Sequence, residues 1–315
     1  MHTSIVFLNL VGLVLNLTGL SGNQQVNVSK FVQSRLQNSI AALTSIEYNH
    51  SAPEDEVQIA SGLQNLGVTV QALSDTAQSS AQQDANLTRS LNHCKSLVYR
   101  TLEALPATDV AGLKQVTLHF SEDGRRGYGG GSTIVLRCLT HSSRNGGVAL
   151  AGADLSADAQ VRDEEFVGVF GHEIGHVVDT GVHNGTPDAG TSAFHDGPNP
   201  IYNNDISVKF YSLSFLDEKT PRRTSSALDF VSGYAMTDPF EDFAETFNFY
   251  LLHGKEFKKM KASSKILQRK YSFMKMWIFD GKEFETGGNT VSMNIYQRYF
   301  DTTVLPSQLE QFFVI

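Results

Sequence analysis

Apolar residues in the first ninety positions recur at helical rather than strand spacing. Val28, Phe31, Val32 and Leu36 make one stripe, and Ile59, Leu63 and Leu66 make another. That spacing predicts helices with one buried face. SAPEDE at 51–56 reads as a break followed by a helix start, and QALSDTAQSSAQQDANLT approaches low complexity, as an exposed helix or linker would. Residues 23–90 are therefore expected to form a helical accessory or pro-segment. Ahead of them, IVFLNLVGLVLNLTGL at 5–20 carries no charged side chain. It is too short and too interrupted by Asn for a membrane span, and it suits the apolar core of a signal peptide covering 1–22.

From Leu91 the pattern changes. A helix is predicted up to about Leu105, ending at Pro106. LKQVTLHF at 113–120 and STIVLRC at 132–138 are short β-branched runs and read as strands. The DGRRGYGGG between them lacks the setting of a phosphate-binding loop and reads as a flexible turn. GVALAG at 147–152 is a possible third, edge strand. DEEFVGVFGHEIGHVVDTG at 163–181 is a helix with acidic residues at its start and Gly181 past its end. Residues 182–204, rich in Gly, Pro, Asn and Asp, are expected to be a long loop. Helical texture resumes at 205–218 and from Pro239 to about Tyr271.

The helix at 163–181 carries the first chemistry. In GHEIGHVVD, His172 and His176 are four apart and share a helix face, so both rings can point at one ion. Catalytic zinc sites use three protein ligands and leave a fourth position for water, and Glu173 beside the first histidine is placed as a general base. Phe166, Val169, Phe170, Ile174, Val177 and Val178 make this helix apolar on most sides, and buried imidazoles need partners. The alternative is two histidines on a helix surface.

The third ligand is open at this level. A metzincin needs Gly at 179 and His at 182, where the chain has Asp179 and Val182. An aspartate ligand would be Asp188, in GTPDAGTS, with Thr191 where that pattern has Tyr. The remaining option lies in DFVSGYAMTDPFEDFAETF at 229–247. Asp238 and Pro239 look like a helix N-cap and first helical residue. Phe240, Phe243, Ala244, Phe247 and Leu251 then form an apolar stripe. Glu241 is either a capping-box partner of Asp238 or a metal ligand. In the second case Glu245, one turn on, can hydrogen-bond a ligand histidine. Asp179 is another such candidate, or simply a helix-end residue.

GHEIGHVVD together with SGYAMTDPFEDFAETF resembles the catalytic domain of the anthrax-lethal-factor-like zinc peptidases. The resemblance covers some forty residues, or about ninety with the preceding strands. It implies a gluzincin in which His172, His176 and Glu241 hold one zinc ion and Glu173 is the general base. Tyr234, seven residues before Glu241, would donate a hydrogen bond to the oxyanion; without that spacing it reads as a core tyrosine. The fold implied for 91–315 is α+β and zincin-like. It has a small mixed sheet, the HExxH helix and a helical C-terminal subdomain. Substrate peptide would add to a sheet edge, either GGVALAG or STIVLRC.

Composition changes this picture little. The chain has 315 residues, is 41% hydrophobic and 18% charged, and carries a net charge of -8. That is ordinary for a globular protein and gives no footprint for nucleic acid. The basic run from Lys255 to Lys270 reads as the solvated side of a helix. Cys94 and Cys138 are the only cysteines and read as one disulfide of an exported protein, the alternative being a Cys94 thiolate that blocks zinc. N-x-S/T sequons at Asn27, Asn49 and Asn86 are glycosylation candidates, while the one at Asn184 is followed by Pro187. The expectation is a secreted zinc endopeptidase acting on peptide or protein, with no membrane span once the signal is removed. The alternative is an exported effector whose helical N-terminal region binds a partner, with catalysis latent or confined to one target. Substrate preference and oligomeric state are not legible.

Overall fold

Val116 and Leu118 are fully buried and Thr117 between them nearly so, as expected for a strand covered on both faces. This is β2 (Gln115–His119), at the centre of the sheet. The computed structural model describes residues 53–73, 81–120, 125–138, 155–182, 184–287 and 300–313. They belong to one unit, Pro53–Ile315. The expected signal peptide and the sequons at Asn27 and Asn49 lie outside the described residues, as does the strand expected at 147–152. Asn86 falls on a described helix, but its side chain lies outside the description.

Among the described residues the main sheet has the order β1-β2-β4-β3, with β1 (Thr69–Leu73), β3 (Gly127–Gly130) and β4 (Thr133–Arg137). β1 and β4 flank β2 in parallel, and β3 runs antiparallel to β4 on the outside. β1 departs from the helical expectation for 23–90. α1 (Pro53–Asn65) is helical, but TVQAL pairs with β2 through Thr69↔Gln115 to Leu73↔His119. The expected boundary at 90/91 also falls inside a continuous helix, α2 (Ala81–Glu103). α3 (Ala107–Ala111) follows, with Pro106 as its N-cap residue. The expected disulfide is present: Cys94 on α2 is bonded to Cys138, just past β4.

Of the two candidates for the edge, GGVALAG lies outside the described residues and STIVLRC is not outermost among them. STIVLRC is the inner β4, and the glycine-rich segment expected to be a flexible turn supplies β3. GYGG has little β propensity, so its strand state comes from tertiary pairing (Tyr128↔Val135, Gly129↔Ile134).

α4 (Leu155–Val177) is the histidine helix, and it ends in one wide turn, Val178–Val182. The long loop expected at 182–204 contains a hairpin, β5 (Thr191–Asp196) with β6 (Asn199–Tyr202). Its turn is tight because Gly197 takes φ 55°. α5 (Ile206–Tyr211) is capped by Asp205, whose carboxylate accepts from the Ser207 N–H. α6 (Pro239–Leu252) is capped by Asp238, which accepts from the N–H groups of Phe240 and Glu241. It lies against α4 and is buried along almost its whole length. α7 (Gly254–Met260), α8 (Lys265–Phe273) and α9 (Leu309–Phe312) complete the helical part. No helix among the described residues is long and apolar enough to cross a membrane.

Lys270 is the exception to the reading of the basic run as a solvated face, since the other basic residues of the run are exposed or half-buried. Its side chain is fully buried, 2.6 Å from Asp242 on α6, and it donates to the Asp229 carbonyl at 2.8 Å. The Phe230 ring lies 4.1 Å from its ammonium. An opposite charge, a carbonyl and an aromatic face together replace the lost water.

Candidate active site

Three elements meet at the histidines of α4. The first is α4 itself, where the i, i+4 spacing brings Nε2 of His172 and Nε2 of His176 to 3.2 Å. The second is the first turn of α6. With Asp238 capping the Glu241 N–H, the Glu241 side chain is free to turn towards α4. Its Oε2 lies 3.2 Å from His172 Nε2 and 3.4 Å from His176 Nε2. The Glu241 side chain therefore does not close a capping box back to Asp238; it faces the histidines instead. Oε2 is buried and makes no hydrogen bond of proper geometry to either ring. These are the residues that could hold a metal. The near-equilateral triangle of donors matches one face of a tetrahedron with bonds of about 2 Å, whose edges are about 3.3 Å. Asp188, the other candidate third ligand, is exposed in the turn Pro187–Ala189 and is not part of this group.

Glu245 lies one turn further along α6 and is fully buried. His172 Nδ1–H donates to its Oε1 at 2.9 Å, which directs His172 Nε2 at the donor triangle. The other donors to Glu245 are Ser232 Oγ at 2.6 Å, Thr302 N at 2.9 Å and Thr302 Oγ1 at 3.0 Å. Burial alone would push the His172 pKa down, but the carboxylates of Glu241 and Glu245 hold it up at about 10. The Glu241 carboxyl is in turn held well below the usual range by the two histidines, against its own burial. The pocket is built around a positive charge.

The third element is the outer strand. Glu173 is buried, and burial raises its pKa, with His172 and His176 partly offsetting the rise. The Gly129 N–H of β3 donates to its carboxylate. A β-carbon on Gly129 would lie 3.0 Å from the Glu173 carbonyl oxygen and 3.1 Å from Oε2. Gly127 and Gly129 are glycines where the backbone of the strand runs against the glutamate.

Tyr234 lies in a short turn, Tyr234–Met236, just before α6. Its hydroxyl donates to Glu241 Oε1 at 3.0 Å, and its ring stacks near His172 at 6.0 Å between centroids. Burial, and then the Glu241 charge, keep the phenol above its ordinary range, so it stays a donor. Asp179, three residues after His176, is buried; Tyr211 Oη donates to its Oδ2 at 2.7 Å and its Oδ1 has no hydrogen-bond partner. Of the other histidines, His195 is near Glu218, His93 is paired with Asp163, and His253 is buried.

The sequence reading missed Ser232, Thr302 and Gly129. Ser232 lies inside the recognisable SGYAMTDPF stretch and was within reach. Thr302 is 57 positions from Glu245 and carries no pattern of its own.

No curated protein and no solved structure matches this chain. Residues 153–300 match the model of a family described as "Putative zinc-binding metallo-peptidase", a span that contains His172, Glu173, His176, Tyr234, Glu241 and Glu245, and the match supports a zinc metallopeptidase family for this chain.

Proposed function

We propose that the protein is an exported zinc endopeptidase of the gluzincin kind, similar to the lethal-factor-like peptidases. The observation that carries this reading is the donor triangle of His172, His176 and Glu241, with Glu173 beside it. Those three residues would hold one zinc ion, which supplies Lewis acidity to a bound water and to the scissile carbonyl.

Glu173 accepts the proton of the attacking water and passes it to the departing amine. Burial supports this role, because a carboxylate whose pKa is raised takes the proton of the water more readily. The Tyr234 hydroxyl, a donor within reach of the Glu241 carboxylate, turns to the developing oxyanion. Among the described residues β3 is the strand outside β4, and it lies against Glu173, so an extended peptide adding to it runs past the base. Its glycines leave the backbone open to such an approach. Export is supported by the disulfide between Cys94 and Cys138, which belongs in an oxidising compartment.

The test is peptide-library cleavage read by mass spectrometry, comparing the parent with Glu173→Gln, alongside the zinc content of both. The expected result is one zinc in each and cleavage by the parent alone. No cleavage together with no bound zinc would overturn the reading.

A further inference from the structure

Four residues, Phe300 to Thr303, touch Tyr234, Glu245, the residue ahead of β3 and the histidine helix. The Phe300 carbonyl accepts from the Tyr234 N–H at 2.6 Å. Asp301 pairs with Arg126, the residue immediately before β3. Thr303 Oγ1 accepts from the same Arg126 at 2.8 Å. Thr302 is buried and gives both its N–H and its hydroxyl to Glu245. On the α4 side, the Thr303 carbonyl oxygen would lie 2.6 Å from a β-carbon on Gly168, so the segment is seated against the histidine helix four residues before His172. Thr302 and Thr303 lie beyond the span matched by the family model.

Glu245 has no exposure and cannot borrow donors from water. Its donors are His172, Ser232 and Thr302, and Thr302 supplies one to each oxygen. A buried carboxylate that loses a donor turns toward the donors that remain, and it would then stop holding Nδ1–H of His172. The Thr302 hydroxyl is itself aimed, since it accepts from Asn248 Nδ2 at 3.0 Å and so directs its own proton at Glu245. Asn248 belongs to α6 and its Oδ1 lies against Gly171, beside His172.

We infer that Thr302 is a positioning residue for the metal site. Acting through Glu245, it sets the tautomer and orientation of His172, and the Phe300–Thr303 segment thereby joins Tyr234, β3 and the ligand helices in one register. This rests on the zinc-site reading above.

The test compares Thr302→Val, which keeps shape and N–H but loses the hydroxyl, with Thr302→Ser, which retains it. Zinc affinity is measured by chelator competition, and the cobalt-substituted protein supplies a visible spectrum that reports ligand geometry. Outer partners of ligand histidines are typically worth 10- to 100-fold in affinity, and a loss of roughly that size is expected for Thr302→Val. Thr302→Ser is expected to bind zinc and cobalt like the parent. The metal-free melting temperatures of the two variants should be similar. If Thr302→Val binds zinc as the parent does, or if its only defect is a lower metal-free melting temperature, the inference is overturned. A parent chain that binds no zinc overturns the site reading and this inference together. The readouts do not require cleavage, so the two failures are distinguishable.

Discussion

A β-carbon placed on Gly175 would lie 2.8 Å from the Cα of Ala244 and 3.2 Å from its carbonyl oxygen. Gly175 lies between the two histidines on α4, and Ala244 lies between Glu241 and Glu245 on α6. The closeness of the two helices is what brings Glu241 within 3.4 Å of both rings. Gly175→Ala should therefore force the helices apart, at an overpacking cost of about 1–3 kcal/mol. Zinc affinity should fall as well, because the donor triangle opens. Gly130→Ala is the control, since a β-carbon there meets nothing within 4 Å. Thermal unfolding with chelator competition checks both. Unchanged zinc affinity in Gly175→Ala would show that the helix spacing does not set the triangle.

Tyr234→Phe separates two uses of one hydroxyl. In the structure it donates to Glu241 Oε1, and in the proposed reaction it turns to the oxyanion. Loss of an oxyanion donor costs about 10²–10³ in kcat. The expected outcome is a fall of that size in kcat with KM nearly unchanged. Zinc affinity should stay close to the parent, because the Phe ring keeps its packing against His172 and Phe300. A fall in zinc affinity that accounts for the lost activity would instead make Tyr234 an orienting partner of the ligand.

The residues legible in the sequence are those whose chemistry repeats along one helix. His172, Glu173 and His176 share a turn, and Glu241 with Glu245 does the same on α6 behind a recognisable cap at Asp238. Strands β2 and β4 are also legible, because β-branched apolar runs leave few other folds. The misses share the opposite property. Gly127–Gly130 becomes a strand through its pairing with β4 and the fit of its bare backbone against Glu173, neither of which leaves a side-chain pattern. β1 reads as part of a helical region because it is mostly exposed and its strand state comes from pairing with a strand 46 positions later in the chain. Lys270 looks solvated because its partner, Asp242, belongs to a different helix. Thr302 acts on Glu245 across 57 positions, and only the folded chain brings the two together.

The disulfide closes a loop of 44 residues between α2 and the end of β4. For a loop of that length, the restriction of the unfolded chain contributes about 4 kcal/mol. The double variant Cys94→Ser with Cys138→Ser should lose roughly that much stability in denaturant unfolding, with zinc affinity retained. Reducing the parent should have the same effect as the double variant. A loss well below 1 kcal/mol would mean that the reduced, unfolded chain already holds these segments together.

Asp109 gives a pH dependence that does not involve the metal site. It lies on α3, is 1% exposed, and neither carboxylate oxygen has a hydrogen-bond partner. Burial, reinforced by the charge of Asp280, pushes its pKa up to about 8. In the unfolded chain the value is about 3.9. The folded state therefore keeps a proton that the unfolded state gives up, and raising the pH favours unfolding. The contribution to stability is fully present below about pH 4, falls by up to ~1.4 kcal/mol per pH unit, and is gone above about pH 8. Over the whole window that amounts to roughly 6 kcal/mol at most. Asp109→Asn removes the titration and leaves the shape. The measurement is denaturant unfolding of parent and variant from pH 4 to 9, read as the difference in stability at each pH. That difference should move steadily in favour of the variant up to about pH 8 and then level off. A difference that stays constant across the range would mean that Asp109 is ionised in the fold, and that water or a cation reaches it.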